Sequence, residues 1–384
     1  MRTTISKYNI LIITPEFPPN NTGGGGIAYL ALCKELVKQG NELTILAGDH
    51  TNTSLASKPT LDKIEGIKVT RLPLLPNFIS ILKAKTPPTK KSVGLLKDTF
   101  EKNSFDFALI FGSYEFLSIK AAKECKESNL PFFIYSHGYP NLENYNPLIK
   151  FLMRIHEIKS LIPMFKNAQK VFSVSPEQMM PIQTTYIPNG IDMEELINIR
   201  KPINIRGIHS IPEENTIIFS IGRLNIRKGY QYAIEAVKSI PKVTYIIAGP
   251  DDGHLEKLIQ ISDKTVIFTG TLDSEAKKSY FSQCDIYISP SLEEFFGLTI
   301  IEAMAFGKPV ISTKVGISQQ IMQDGVNGYL VDKQNAEEIN NRVLELTSNK
   351  QLSLEIGAKA RESVKSYTWK SVAEKLITEI RKEI

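Results

Sequence analysis

Two short apolar runs, Asn9 to Thr14 (NILIIT) and Thr216 to Ile221 (TIIFSI), constrain this chain more than any other feature. Both are apolar at most positions, the pattern of a strand buried on both faces of a parallel sheet. The first leads through a loop, Pro15 to Gly26 (PEFPPNNTGGGG), into a helix expected over Ile27 to Gln39 and a strand over Leu43 to Ala47. The second leads through Gly222 to Gly229 (GRLNIRKG) into a helix over Tyr230 to Ser239 and a strand over Val243 to Ala248. A β-α-β opening that starts again halfway along predicts two doubly wound α/β domains. The length of 384 residues agrees, because one core rarely supports so much chain.

Further strands are expected at Phe107–Phe111, Phe132–Tyr135 and Val171–Val174, with a helix over Tyr114–Lys126. In the second half they fall at Val266–Phe268, Ile286–Ile288, Val310–Ser312 and Gly328–Val331, with a helix over Ser274–Gln283. Tyr186 to Asp192 (YIPNGID) combines proline, asparagine and glycine after a short strand, so the hinge is set there.

Composition narrows the functional class. The three cysteines, Cys33, Cys125 and Cys284, are far apart and lack metal spacing, as in reduced, buried thiols. The only early apolar run, Ile10 to Ile13, is too short for a signal-peptide core, and nothing approaches a membrane span. The expectation is a cytoplasmic chain. Residues 1–185 hold 22 Lys+Arg against 15 Asp+Glu, a net +7, whereas the remaining 24 and 26 give −2. The basic residues cluster at Lys83, Lys85, Lys90, Lys91 and Lys97, and again at Lys150, Arg154, Lys159 and Lys166 among apolar neighbours. Such runs are solvated helix faces or a docking surface, either for anionic head groups at the inner face of the membrane or for an anionic acceptor. No aromatic-plus-basic module for nucleic acid is present.

The chemistry concentrates in Ser289 to Gly307 (SPSLEEFFGLTIIEAMAFG). A helix starting near Gly297 would aim its first amides at the preceding loop, with Glu294 at that start and Glu302 further along. Two carboxylates so spaced can hold hydroxyls of one elongated ligand. Arg223 and Lys228, between a strand end and a helix start, suit a diphosphate. His137, in SHGYP, follows a strand at the end where open α/β sheets bind ligands. Gly23, Gly25 and Ala28 fit a dinucleotide fingerprint, with Asp49 ending the next strand. However, the eight residues and three prolines between strand and glycines disfavour nicotinamide or flavin. There is no Walker pattern for ATP hydrolysis.

Taken in order, these pieces resemble the family-four retaining glycosyltransferases of GT-B fold over nearly the whole chain. The matching residues are Gly23-Gly24, His137-Gly138, Val174-Ser175, Ile187-Pro188-Asn189-Gly190, Gly222-Arg223-Leu224 with Lys228-Gly229, Ala248-Gly249, Gly270, Asp285, the two-glutamate segment and Trp369. The resemblance implies two Rossmann-like domains facing each other across a deep cleft. One spans residues 1–185, with a helix in 367–384 returning to it; the other spans 186–366. It implies that Arg223 and Lys228 hold the donor diphosphate, and that Glu294 and the amides around Phe296, Gly297, Leu298 and Thr299 contact the transferred sugar. Glu302 would take the ribose, Leu272 the base, Gly23 and Gly24 a close approach to the diphosphate, and His137 the sugar. His137, Glu294, Arg223 and Lys228 would carry the catalysis. Ser274 stands where some guanine-nucleotide members carry an acid, which favours a UDP-sugar over a GDP-sugar. Tyr139 lies in a stretch where an acid often follows the histidine.

The implied reaction moves a hexose or N-acetylhexosamine from a nucleotide-sugar to a glycan, lipid-linked or small-molecule acceptor. It retains the anomeric configuration and needs no metal or cofactor; the Asp251-Asp252 pair reads as a turn. Surface polysaccharide or glycolipid assembly is the expected setting. The rival readings are a GT-B nucleotide-sugar epimerase and a non-catalytic nucleotide-sugar-binding protein.

Overall fold

A computed structural model of the chain describes residues 7–19, 24–51, 58–75, 87–139, 146–175, 177 and 180–384. The residues group into two compact units, Met1–Gly190 with Trp369–Ile384, and Ile191–Thr368. The first break falls inside the YIPNGID turn.

The first unit is built on β1 (Asn9–Thr14), β2 (Glu42–Asp49), β3 (Thr60–Ile64), β4 (Ile67–Pro73), β5 (Phe107–Phe111), β6 (Phe132–Ser136), β7 (Lys170–Ser173) and β8 (Thr185–Tyr186). Their order in the sheet is β3-β4-β2-β1-β5-β6-β7-β8, and only the β3–β4 pair is antiparallel. Every residue of β5 and β6 is buried, which is why those strands are continuously apolar. The β3–β4 hairpin was not anticipated. It turns at Glu65-Gly66, both with positive φ (46° and 90°), the backbone that two-residue hairpins favour. From β4, the buried Arg71 donates to Asp62 Oδ2 at 2.7 Å and to the Phe17 carbonyl at 2.8 Å, tying down the start of the loop after β1.

The helix after that loop spans Gly24–Lys38, so it begins earlier than expected, with Gly24 to Gly26 in its first turn. Its buried stripe is Ala28, Tyr29, Leu32, Cys33 and Leu36, whereas Ile27 and Val37 face outward. Gly23 lies outside the described residues, as do Lys83 and Lys85. Asp49 is spent locally, its Oδ1 accepting from the Thr51 amide at 3.0 Å and hydroxyl at 2.7 Å.

The last helix, Trp369–Ile380, belongs to the first unit and packs against Gly24–Lys38. Val372, Ala373, Leu376, Ile377 and Ile380 are buried, and Lys170 from β7 pairs with Glu379 at 3.2 Å and Glu383 at 2.7 Å.

The second unit has β9 (Thr216–Ile221), β10 (Val243–Ala248), β11 (Val266–Gly270), β12 (Ile286–Ser289), β13 (Val310–Thr313) and β14 (Tyr329–Val331). All pairs are parallel, in the order β11-β10-β9-β12-β13-β14. The chain winds outward from β9 through β10 to β11, then crosses to β12 on the other side of β9. The loops leaving β9 and β12 therefore diverge from one sheet position, the switch point where open α/β sheets bind ligands. Asp285 locks this register, its Oδ2 accepting from the Ile217 amide at 2.7 Å. The three cysteines are free and buried, and burial pushes the Cys284 thiol up to about 12. Among the described residues no helix is long and apolar enough to cross a membrane.

Candidate functional site

The switch point of the second unit brings the Gly222–Gly229 loop against the loop that follows β12. A short 3-10 turn, Ile226–Lys228, ends at Gly229 with φ of +66°. A Cβ on Gly229 would stand 2.0 Å from the Pro290 carbonyl oxygen, so only glycine permits this approach. The Leu292 amide donates to the Arg227 carbonyl at 2.7 Å, stitching the loops together. That stitching places Lys228 in an ion pair with Glu294, whose Oε1 also accepts from Ser291 Oγ at 3.0 Å. Ile221, Tyr230, Tyr287 and Thr299 complete a pocket around the pair. Burial, chiefly, pushes the Tyr287 hydroxyl far above its ordinary range; the Thr299 hydrogen bond opposes this, and the Glu294 and Glu302 carboxylates add to it. Tyr287 therefore stays protonated.

The other wall is the helix Leu298–Ala305, capped by Gly297 at φ of +94°. The Ile300 amide bonds back to the Gly297 carbonyl at 3.0 Å, while the amides of Leu298 and Thr299 open the helix. The Phe296 ring is buried in the core, so only its backbone can meet a ligand. Behind this corner Gly316, at φ of +55°, would place a Cβ 2.5 Å from the Phe296 carbonyl oxygen. The next residue, Ile317, donates its amide to that oxygen at 2.7 Å. A lone glycine carries no sequence signal for such a role.

Glu302 lies on the same helix and accepts from Lys277 Nζ at 2.7 Å, while its Oε2 is buried and unpartnered. Arg223 is exposed, and among the described residues no acid pairs with it. Leu272 is half-buried just ahead of Asp273, which caps the Ser274–Gln283 helix by accepting from the Ala276 amide at 2.8 Å. The structure thus joins Lys228 to Glu294 directly, gives Arg223 no acid partner among the described residues, and gives Glu302 a partner, Lys277, that the sequence reading missed.

In the first unit His137 follows β6. Its ring stacks on Tyr29 at 4.3 Å and 12°, and Tyr29 stacks in turn on Phe111 at 4.3 Å. Its Nε2 donates to Asn189 Oδ1 at 2.7 Å, which gives Asn189 a role in orienting the ring beyond shaping the turn. Its Nδ1 is buried without a partner. Burial lowers the imidazole to about 4 against a smaller opposing effect of Asn189, so the ring is neutral at pH 7. A Cβ on Gly25 would lie 3.6 Å from Nδ1, so the helix start packs beside that atom. Around Gly138 the Ser113 and Ser136 hydroxyls both donate to its carbonyl, at 2.7 and 2.9 Å, and the acid near Tyr139 comes from further along the chain, the Tyr139 hydroxyl bonding Glu157.

Chemically, the second unit offers two cations, two carboxylates and a helix start at one switch point, which suits an anionic, hydroxyl-bearing ligand. Comparison with known proteins agrees. Residues 203–363, inside the second unit, match the family described as glycosyl transferases group 1. An uncharacterized glycosyltransferase of Methanocaldococcus jannaschii is 24% identical over 394 residues, covering 96% of each chain. Among solved structures, sucrose-phosphate synthase from Thermosynechococcus elongatus superposes with a TM-score of 0.76 at 20% identity, over 97% of this chain and 98% of that one. HepE from Anabaena, solved with UDP-glucose, gives 0.72 at 18% identity, over 98% and 100%. The chain is accordingly a glycosyltransferase with the GT-B fold, and residues 203–363 of its second unit are similar to the glycosyl transferases group 1 family.

Proposed function

We propose that this enzyme transfers a hexose or N-acetylhexosamine from a nucleotide-sugar, a UDP-sugar in preference to a GDP-sugar, with retention and without metal or cofactor. The observation that carries the reading is the ion pair of Lys228 with Glu294 at the switch point, with Arg223 exposed on the same loop as Lys228. Breaking the anomeric carbon–oxygen bond leaves positive charge on the sugar and negative charge on the nucleoside diphosphate. Arg223, Lys228 and the Leu298 and Thr299 amides stabilise that leaving group. Glu294 and the Phe296–Gly297 backbone hold the sugar, Glu302 the ribose and Leu272 the base; Gly24 opens the helix that packs beside His137. The acceptor hydroxyl attacks from the leaving-group side and its proton passes to a phosphate oxygen, so the products are the glycoside and the nucleoside diphosphate. His137, being neutral, serves as a hydrogen-bond group for a sugar hydroxyl.

The UDP-glucose complex of HepE supports the donor class. A thermal-shift screen with UDP-, GDP- and ADP-sugars tests it: the UDP-sugar should stabilise most, by about 2.7 kcal/mol at 100 times its dissociation constant. No shift with any of them would sink the reading.

For the acceptor side we propose contact with an anionic lipid surface, which suits a lipid-linked acceptor. The helix Pro147–His156 buries none of its residues. Leu148, Phe151, Leu152 and, just beyond, Ile158 are 67%, 62%, 44% and 57% exposed, with Lys150 and Lys159 beside them in sequence and Lys166 further along. An exposed apolar face with neighbouring ammonium groups matches the chemistry of acidic head groups above acyl chains. The protein should sediment with phosphatidylglycerol vesicles but not with phosphatidylcholine, and Phe151→Glu with Lys159→Glu should release it. Failure to bind the anionic vesicles would overturn this contact and leave the donor reading intact.

A further inference from the structure

We infer that Lys277 is a positioning residue for the nucleotide's ribose, acting through Glu302. This rests on the nucleotide-sugar reading above and adds a residue to it. Lys277 lies on the Ser274–Gln283 helix, one turn beyond Asp273 and the Leu272 loop, and reaches Glu302 on the Leu298–Ala305 helix at 2.7 Å. The neighbouring Lys278 is used differently: it is buried and bonds Glu275 at 2.9 Å and the Asn198 carbonyl at 3.2 Å, within the scaffold.

The consequence for Glu302 follows from its surroundings. Both side chains of the pair are partly buried, so the ammonium interacts through little intervening water and holds the carboxylate in one orientation. One oxygen is thereby occupied. The other, Oε2, is buried and has no donor in the structure. A buried acceptor without a donor is uncommon in folded proteins and points to a partner that arrives from outside. An anionic group would be repelled by the carboxylate, and a second cation would duplicate Lys277. A neutral hydroxyl donor is the remaining class, and ribose supplies two adjacent ones. Lys277 also links the segment bearing Leu272 to the ribose-side carboxylate, so base and sugar recognition share one rigid element.

The test is calorimetric titration of the full-length protein, its Lys277→Met variant and its Lys277→Arg variant. The titrants are UDP, GDP and ADP and their 2′-deoxy counterparts, with circular dichroism melting run alongside. The wild type should bind its preferred ribonucleotide about tenfold more tightly than the deoxy form, the scale of one hydrogen bond to a charged acceptor. Lys277→Met should lose most of that ratio, through weaker ribonucleotide binding and little change in the deoxy form. Lys277→Arg, which can still pair with Glu302, should keep it. Retention of the full ratio by Lys277→Met, or its loss in Lys277→Arg, would overturn the inference. If the wild type bound none of these diphosphates, the donor reading itself would fail, a result read before any variant is considered.

Discussion

The polar groups of the two units are held in opposite electrical states. In the second unit the functional groups are charged and paired in advance: Lys228 with Glu294, and Lys277 with Glu302. In the first, the corresponding group is the uncharged ring of His137, stacked on Tyr29 and steered by Asn189. The pairs lie on loops and helices that keep some exposure. His137 packs into an aromatic stack whose burial makes its ionisation unfavourable. Under the proposed mechanism the difference is a division of labour. A site that must stabilise charge developing on a leaving diphosphate needs fixed cations. A group that meets hydroxyls needs a defined tautomer and no charge.

The sharpest way to break this comparison is to remove a cation. Arg223→Ala and Lys228→Ala should each lower the transfer rate by about 10²–10³-fold, equivalent to about 2.7–4 kcal/mol of barrier. They should differ in stability. Arg223 has no acid partner among the described residues, so its loss should leave the melting temperature unchanged, whereas Lys228→Ala leaves Glu294 unpaired and should lower it. Near-normal rates in both variants would show that the second unit's charges are scaffold.

A smaller effect tests the first unit. The unfolded chain binds a proton at His137 near pH 6.5, whereas the folded ring takes one only near 4. Between those values the unfolded state holds more protons, so stability is full above about pH 6.5 and falls as the pH drops towards 4. The loss attributable to this one residue is at most about 3 kcal/mol. Urea unfolding of the wild type and His137→Gln at pH 7.5 and 4.5 measures it: the variant should lose less stability on acidification. Equal losses would mean that His137 is as readily protonated folded as unfolded, and the contrast between the units would collapse.

Much of the scaffold was legible. β1, β5, β9 and β10 run over the residues that their apolar runs marked, because a parallel strand covered on both faces needs an apolar residue at nearly every position. The β3–β4 hairpin was not, since an edge pair alternates and carries charges such as Asp62, Lys63 and Lys68. The start of the Gly24–Lys38 helix was missed because glycine is a poor helix former, a weak local preference that the helix's buried face overrides.

The same divide runs through the site. By itself the sequence determined that Arg223, Lys228, Glu294 and His137 stand at strand ends or ahead of helix starts, with Glu302 inside a helix, because those positions are set by local periodicity and glycine punctuation. Only the tertiary structure decided who meets whom. Nothing local distinguishes Lys277 from Lys278, yet adjacent residues on a helix point about 100° apart, so one reaches Glu302 and the other Glu275. Asn189 meets His137 because β6 and the turn after β8 end at the same edge of one sheet, fifty-two residues apart in sequence. Pairings of that kind come from strand order, which no short stretch of chain contains.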